Sequence, residues 1–217
     1  MSQGPKRALI IYARRPLAGR AKTRLAAAIG AEGAAGVYAR LLYDYLLQVV
    51  RGPIGVRLVL SVAAAEDVPF FAQAFPEMEV CPQIEGDLGA RMWRSFDMAF
   101  SEGAERVVLT GRAIPSLDGA LVDSAFRALE RASVVLGPAA DGGYYLIGLW
   151  APGADLFRGI AWSSDHVLEQ TRSLARGLGL EVALLRELRD LDDHDDWCAW
   201  RRGLGAGNPG RPDPRAR

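Results

Sequence analysis

Residues 13–24 of this chain read ARRPLAGRAKTR, placing Arg14, Arg15, Arg20, Lys22 and Arg24 on one short stretch that carries no acid. Guanidinium groups grip phosphate oxygens two at a time, and the first N–H groups of a helix add further donors, so cations on a loop leading into a helix suit a phosphate chain. A solvated basic loop has the same composition. The phosphate reading rests on position: the run directly follows the β-branched stretch 7–12 (RALIIY) and contains Pro16 and Gly19. The segment 19–23 (GRAKT) lacks the spacing of a Walker A loop. Within the run, Arg14, Arg15, Gly19, Lys22 and Arg24 are the candidate phosphate ligands.

Three further constellations follow strand-like runs. In 83–92 (QIEGDLGARM), Gly86 and Gly89 bracket Asp87, with Arg91 one turn on. Asp87, Gly89 and Arg91 are arranged for a base, a sugar or a phosphate, and equally for Asp87 to cap the helix that begins near Leu88. In 137–145 (GPAADGGYY), Gly142 and Gly143 would let the backbone approach a ligand and Asp141 would receive sugar or ribose hydroxyls; a plain β-turn accounts for Asp-Gly-Gly as well. In 187–196 (ELRDLDDHDD), Asp190 and Asp192 alternate along a short extended piece and so point one way, as a hard divalent cation requires. Asp193, Asp195 and Asp196 fit the start of the next helix, where the dipole favours acids.

These loops need a scaffold, and the chain supplies strand-like and helix-like runs in alternation. Strands are expected over 7–12, 56–62, 78–82, 106–111, 133–137, 144–149 and 181–185, and helices over 32–50, 68–74, 88–101, 117–130, 164–178 and 193–202. The helix over 32–50 is the most clearly periodic, with apolar residues stepping by three and one from Ala34 to Val49. This alternation implies βαβ units: a single three-layer α/β/α domain with a mostly parallel, mixed central sheet covered on both faces. Open sheets of this kind bind ligands beyond the strands' C-terminal ends. The domain is expected over 1–202, with 203–217 (GLGAGNPGRPDPRAR) as a disordered tail.

Composition narrows the function. The 217 residues are 50% apolar, and 26 basic residues balance 26 acidic ones, so no global field draws the chain to nucleic acid or an anionic membrane. Cys81 and Cys198 are too few and too far apart for a disulfide framework or a CxxC site. With no signal-peptide core and no apolar run near 18 residues, the expected location is the cytoplasm. His166 and His194 lie in no nucleophile–base pattern, which argues against triad hydrolysis. A dehydrogenase would need GxGxxG after the first strand; Gly30, Gly33 and Gly36 come later, around a helix start.

The strings RRPLAGRAKTRLA, GDLGARM, GPAADGGYYLIGL, WSS and RDLDDHDD, in this order over nearly all of 8–200, resemble an uncharacterised bacterial family of GT-A-fold, glycosyltransferase-like proteins. That family is similar to the 2-phospho-L-lactate guanylyltransferases and, more distantly, to the molybdenum cofactor guanylyltransferases. The resemblance implies a nucleotide-diphospho-sugar transferase fold, a nucleoside triphosphate or nucleotide sugar as donor, a small-molecule acceptor, and Mg²⁺ or Mn²⁺ bridging the phosphates. It would put Arg14 and Lys22 on the phosphates, Asp87 and Gly89 near the nucleotide, 141–143 near the second substrate, and Asp190 and Asp192 on the metal. Where the family reads G-[ST]-D-x-P after the fourth strand, with that Asp as the principal metal ligand, this chain reads Gly111-Arg112-Ala113-Ile114-Pro115. The departure implies weakened metal binding. Arg112 would then partly replace the metal's charge, and the expected catalytic set is Lys22, Arg112 and, as base toward a hydroxyl acceptor, Asp141. A catalytically weakened nucleotide-binding protein is the rival expectation.

Overall fold

The computed structural model describes residues 6–52, 55–111 and 114–203. Seven strands are formed by these residues: β1 (Arg7–Ala13), β2 (Val56–Val62), β3 (Glu79–Pro82), β4 (Arg106–Thr110), β5 (Val134–Pro138), β6 (Tyr144–Leu149) and β7 (Val182–Leu184). The helices are α1 (Thr23–Val50), α2 (Val68–Ala74), α3 (Leu88–Ser101), α4 (Gly119–Ala128), α5 (Val167–Gly177) and α6 (His194–Arg201). The strands join one sheet in the order β3-β2-β1-β4-β6-β5-β7. All pairings are parallel except those of β6, which runs antiparallel to β4 and β5. The strand order reverses beside β1, the type of point at which such sheets open a crevice.

Alternation along the strands builds the layers. Leu9, Ile11 and Ala13 of β1 pack with α1, α2 and α4 on one face, while Ala8 and Ile10 pack with α3 and α5 on the other. Each strand buried on both faces therefore reads as a continuous apolar run, as β1 does. The two faces form the outer layers of the expected three-layer α/β/α domain.

The helix expected over 32–50 begins earlier, at Thr23, and is broken at Gly30, whose φ of 79° and ψ of 158° leave the helical region. Leu25 holds the added turns in place, fully buried in a small separate cluster with Ala34, Leu41 and Leu191. The helix α1 is long enough, and one stretch of it apolar enough, to cross a membrane by length and composition alone. Here Tyr38, Leu42, Tyr45 and Leu46 are seated in the core against the sheet. Other element ends differ from expectation by a few residues, the usual fraying of helix and strand boundaries. The tail expected over 203–217 lies, apart from Gly203, outside the described residues, as do Arg112 and Ala113.

Candidate functional site

A cleft of about 770 Å³ opens where β1 and β4 end and β6 begins. Because β6 runs against its neighbours, its first residues, Tyr144 and Tyr145, reach the same edge as Tyr12 and Ala13 of β1 and Leu109 of β4. This is the edge at which the sequence places its chemistry.

The basic loop forms one wall, and its cations divide. Arg14, Lys22 and Arg24 line the cleft. The Tyr38 hydroxyl accepts from the Arg14 backbone N–H at 3.2 Å, and the Arg14 guanidinium donates to the Arg20 carbonyl at 2.9 Å, folding the loop over Gly19 at φ 78°. Gly19 thus serves the turn and does not line the cleft. Lys22, at the N-cap of α1, has a left-handed backbone (φ 50°, ψ 49°), an uncommon conformation for a residue with a side chain. Its ammonium is nearly buried and donates to Asp192 Oδ1 at 2.9 Å. Arg15 is not among the lining residues. Its guanidinium lies over the Phe70 ring, 4.5 Å from the centroid, with Asp67 at 3.9 Å, tying the loop to α2 and the turn before it.

A second wall comes from β3 and α3. Asp87 caps α3, accepting from the Ala90 N–H at 2.7 Å, and does not line the cleft, so capping accounts for it. Arg91 enters the cleft as expected, its guanidinium fixed by the Gln83 side-chain carbonyl at 3.0 Å and the Asp87 carbonyl at 3.3 Å, while the Gln83 amide donates to the Ser61 carbonyl. Tyr12 shares a 2.9 Å hydrogen bond with Ser95. Burial pushes the Tyr12 phenol up to about 12. Neither Gln83 nor Tyr12 stood out in the sequence. Gln83 did follow a strand immediately, and its backbone N–H continues the β2–β3 ladder to the Val62 carbonyl.

The turn between β5 and β6 serves two purposes. Asp141 Oδ1 accepts from the Gly143 N–H at 3.0 Å, closing the turn, and both residues also line the cleft. Gly142 does not line it. Its φ is 83°, and a Cβ there would fall 2.0 Å from the Asp165 carbonyl oxygen, so the close backbone approach expected toward a ligand is made to the chain's own loop at 158–166. That loop brings Trp162, Ser163, Ser164 and Asp165 to the cleft. The Trp162 indole packs on Gly89, where a Cβ would come within 2.7 Å of it; this contact explains the glycine.

The acidic segment closes the last side. Leu188 bridges to Ala139 beside β5, and Leu191 is 1% exposed in its cluster with Leu25. Asp190 and Asp192 flank that anchor and both line the cleft, as their alternation implies. Asp193 caps α6, accepting from the Asp196 N–H at 2.9 Å, and Asp196 in turn pairs with Arg189 and accepts from the Asp192 N–H. The histidines are surface residues, with His194 beside Cys198.

For a divalent cation, the described residues offer Asp190 and Asp192 and no group of three or more carboxylate, histidine or cysteine ligands. Two carboxylates are a partial shell, and Lys22 already neutralises one of them. The set fits Mg²⁺ or Mn²⁺ in company with ligand phosphate oxygens and water, which would complete the shell.

The sheet order, the layers and the cleft define the nucleotide-diphospho-sugar transferase fold, and solved structures agree. A protein from Desulfovibrio desulfuricans G20, provisionally assigned as a nucleotide-diphospho-sugar transferase, is 31% identical, with a TM-score of 0.86 over 94% of this chain and 89% of that one. Rv0371c from Mycobacterium tuberculosis H37Rv, solved as a complex with manganese, is 17% identical, with a TM-score of 0.52 over 93% and 98%. The inositol-1-phosphate CTP transferase from T. maritima is 15% identical, with a TM-score of 0.52 over 89% and 92%. At these identities the last two show a shared fold. Curated proteins give no match. The chain belongs to the bacterial family described as "Uncharacterized protein conserved in bacteria (DUF2064)", whose model matches residues 46–164.

Proposed function

We propose that this protein is a nucleotide- or nucleotide-sugar-dependent transferase that acts in the cytoplasm on a small-molecule acceptor. The observation that carries the reading is the convergence of Arg14, Lys22, Arg24 and Arg91 with Asp141, Asp190 and Asp192 on one cleft at the strands' C-terminal edge. The cations bind the phosphate chain, and the Lys22 ammonium, exchanging Asp192 for phosphate oxygen, stabilises the charge that builds on the leaving phosphate. A phosphorylated acceptor attacks the α-phosphorus of a nucleoside triphosphate through an oxygen already deprotonated, so that the bond from the α-phosphorus to the bridging oxygen breaks, pyrophosphate leaves and no base is needed. A hydroxyl acceptor, which takes the sugar at its anomeric carbon as the nucleoside diphosphate leaves, needs one, and Asp141 stands at the cleft to take the proton. Asp190 and Asp192 would hold Mg²⁺ or Mn²⁺, which when bound supplies positive charge to the phosphates. The fold shared with the Desulfovibrio protein and with a CTP transferase supports a nucleotide as the donor.

Thermal-shift screening of nucleoside triphosphates and nucleotide sugars, with Mn²⁺ and with EDTA, tests the reading. A ligand present at a hundredfold over its Kd stabilises by about 2.7 kcal/mol, and one nucleotide series is expected to raise Tm selectively. A flat response to every nucleotide overturns the proposal.

Ala113, standing where the resembling family has aspartate, favours a second reading: a nucleotide-binding protein with weakened catalysis. Ala113→Asp is expected to tighten Mn²⁺ binding in the presence of nucleotide and to raise turnover, with Asp190→Ala cancelling the gain. If the parent already binds Mn²⁺ tightly and Ala113→Asp changes nothing, the metal lies elsewhere.

A further inference from the structure

The loop at 158–166 is built with more care than a connection between β6 and α5 requires. The Gln170 side chain accepts from the Ala161 N–H at 2.8 Å, the Ser164 hydroxyl donates to the Ala161 carbonyl at 2.8 Å and accepts from the His166 N–H, and the Leu168 N–H donates to the Gly142 carbonyl at 2.9 Å. Ser163 is held at φ 69°, one of two described residues other than glycine with positive φ, the other being Lys22, which lines the same cleft. Strain of this kind persists where the surroundings over-determine it, commonly at ligand sites. Trp162, half-buried, is clamped against Gly89, and its neighbours Ser163, Ser164 and Asp165 line the same cleft.

The chemistry of this loop and of the β5–β6 turn differs from that of the basic loop. Among the described residues, the cations that line the cleft are Arg14, Lys22, Arg24 and Arg91, and none belongs to the loop at 158–166 or to the β5–β6 turn. Those two segments instead contribute an indole, two serine hydroxyls and the carboxylates of Asp141 and Asp165. Carboxylates repel another phosphate, whereas they accept hydrogen bonds from hydroxyl groups, and serine hydroxyls donate and accept. An aromatic surface beside carboxylates suits a ring whose C–H face is apolar and whose rim carries hydroxyls. His166 faces Asp165 at 3.3 Å, and both side chains are exposed.

The geometry points to Trp162, Ser163, Ser164 and Asp165 as the subsite for a polyhydroxylated ring, the sugar class of the transferred group or of the acceptor, with Trp162 as its stacking platform. The assignment rests on the reading of the cleft as a nucleotide site and adds the class of group bound next to the phosphates.

Calorimetry on the full chain separates the possibilities. UDP, GDP, ADP and CDP are each compared with UDP-glucose, GDP-mannose, ADP-glucose and CDP-glucose, and methyl glucoside and methyl mannoside are titrated into the protein saturated with the best diphosphate. Tighter binding of one conjugate than of its diphosphate puts the sugar on the donor, and binding of a free glycoside puts it on the acceptor. Trp162→Ala is expected to weaken the sugar-bearing ligand about tenfold while leaving the diphosphate within about twofold, with Asp165→Asn weakening it about fivefold. Trp162→Phe keeps an aromatic face and is expected to retain most of the affinity, which separates loss of stacking from loss of loop structure. Equal weakening of diphosphate and conjugate by Trp162→Ala would make Trp162 part of the nucleoside site and overturn the assignment. So would diphosphate binding with no effect of any sugar. If no diphosphate and no conjugate binds, the nucleotide reading itself fails and the subsite falls with it.

Discussion

Gly142→Ala is expected to lower the melting temperature by roughly 6–20 °C, the largest stability effect of any small substitution near the cleft. Two costs combine. Alanine at φ 83° bears the left-handed penalty of about 1–2 kcal/mol. The new Cβ would also sit 2.0 Å from the Asp165 carbonyl oxygen, a backbone atom that no rotamer change can move away. Relief requires the loop at 158–166 to shift as a unit, breaking the hydrogen bond from Leu168 to Gly142. About 3–5 kcal/mol in all is the scale reserved for a small set of mechanisms, backbone strain at a special φ among them, and a domain of this size loses about 2–4 °C per kcal/mol. Two other glycines calibrate the measurement. Gly19 has nearly the same φ, 78°, with nothing within 4 Å of a Cβ, so Gly19→Ala bears the backbone cost alone, about 2–8 °C. Gly36 lies inside α1 with open space around it, and Gly36→Ala is expected to stabilise by about 0.5–1 kcal/mol. If calorimetric scans place Gly142→Ala level with Gly19→Ala, the contact between the β5–β6 turn and Asp165 is not tight and the loop carrying Trp162 is not seated as described.

The same contact shows why some of the site was legible in the sequence and some was not. Strands buried on both faces announce themselves as β-branched runs, and helices on the sheet as three-and-four spacing, so the order of elements and the three layers follow from local pattern. Local pattern also places Asp190 and Asp192 on one side, because the apolar Leu191 between them must turn inward. Partnership is not local. Arg15 and Arg14 are adjacent and identical in type, yet one lies over Phe70 and the other faces the cleft, a division set by where α2 docks. Gly142 and Gly89 look like glycines kept open for a ligand, and each is small because another part of the chain, the Asp165 backbone or the Trp162 indole, occupies the space. Tyr12 and Gln83 drew no attention because a tyrosine ending a core strand and a glutamine after an edge strand are ordinary; the sheet order brings both to one edge. The early start of α1 was hidden by Gly30, which breaks the periodicity that a buried Leu25 would otherwise extend.

Removing the charge of Arg14 is expected to cost about 1.5–3 kcal/mol of polyphosphate binding, one charge-assisted contact, and removing that of Lys22 as well adds a smaller loss. The two single variants should not behave alike. The Arg14 guanidinium is held by a neutral carbonyl, that of Arg20, so Arg14→Gln forfeits a contact that the free protein does not match with a full charge. Lys22 already has an anionic partner in Asp192 at 2.9 Å, and a ligand phosphate must displace it, so Lys22→Gln loses only the difference between the two. Asp192→Asn then becomes informative by its sign. In EDTA it frees Lys22 and is expected to tighten nucleotide binding; with Mn²⁺ present it removes a metal ligand and is expected to weaken it. Arg15→Gln is the control, since its side chain lies on Phe70 outside the cleft and its loss should leave affinity within about twofold. Stability of the free protein separates the cases again: Lys22→Gln leaves Asp192 partly open to water, where an ion pair is worth about 0–1 kcal/mol, so its Tm should fall by no more than a few degrees. Calorimetric titration of the best nucleotide into these variants, in EDTA and in Mn²⁺, decides the matter. Arg15→Gln weakening the nucleotide as much as Arg14→Gln would show that the phosphates run along the outer side of the loop, and an Asp192→Asn effect of one sign in both buffers would remove Asp192 from either the lysine's competition or the metal's shell.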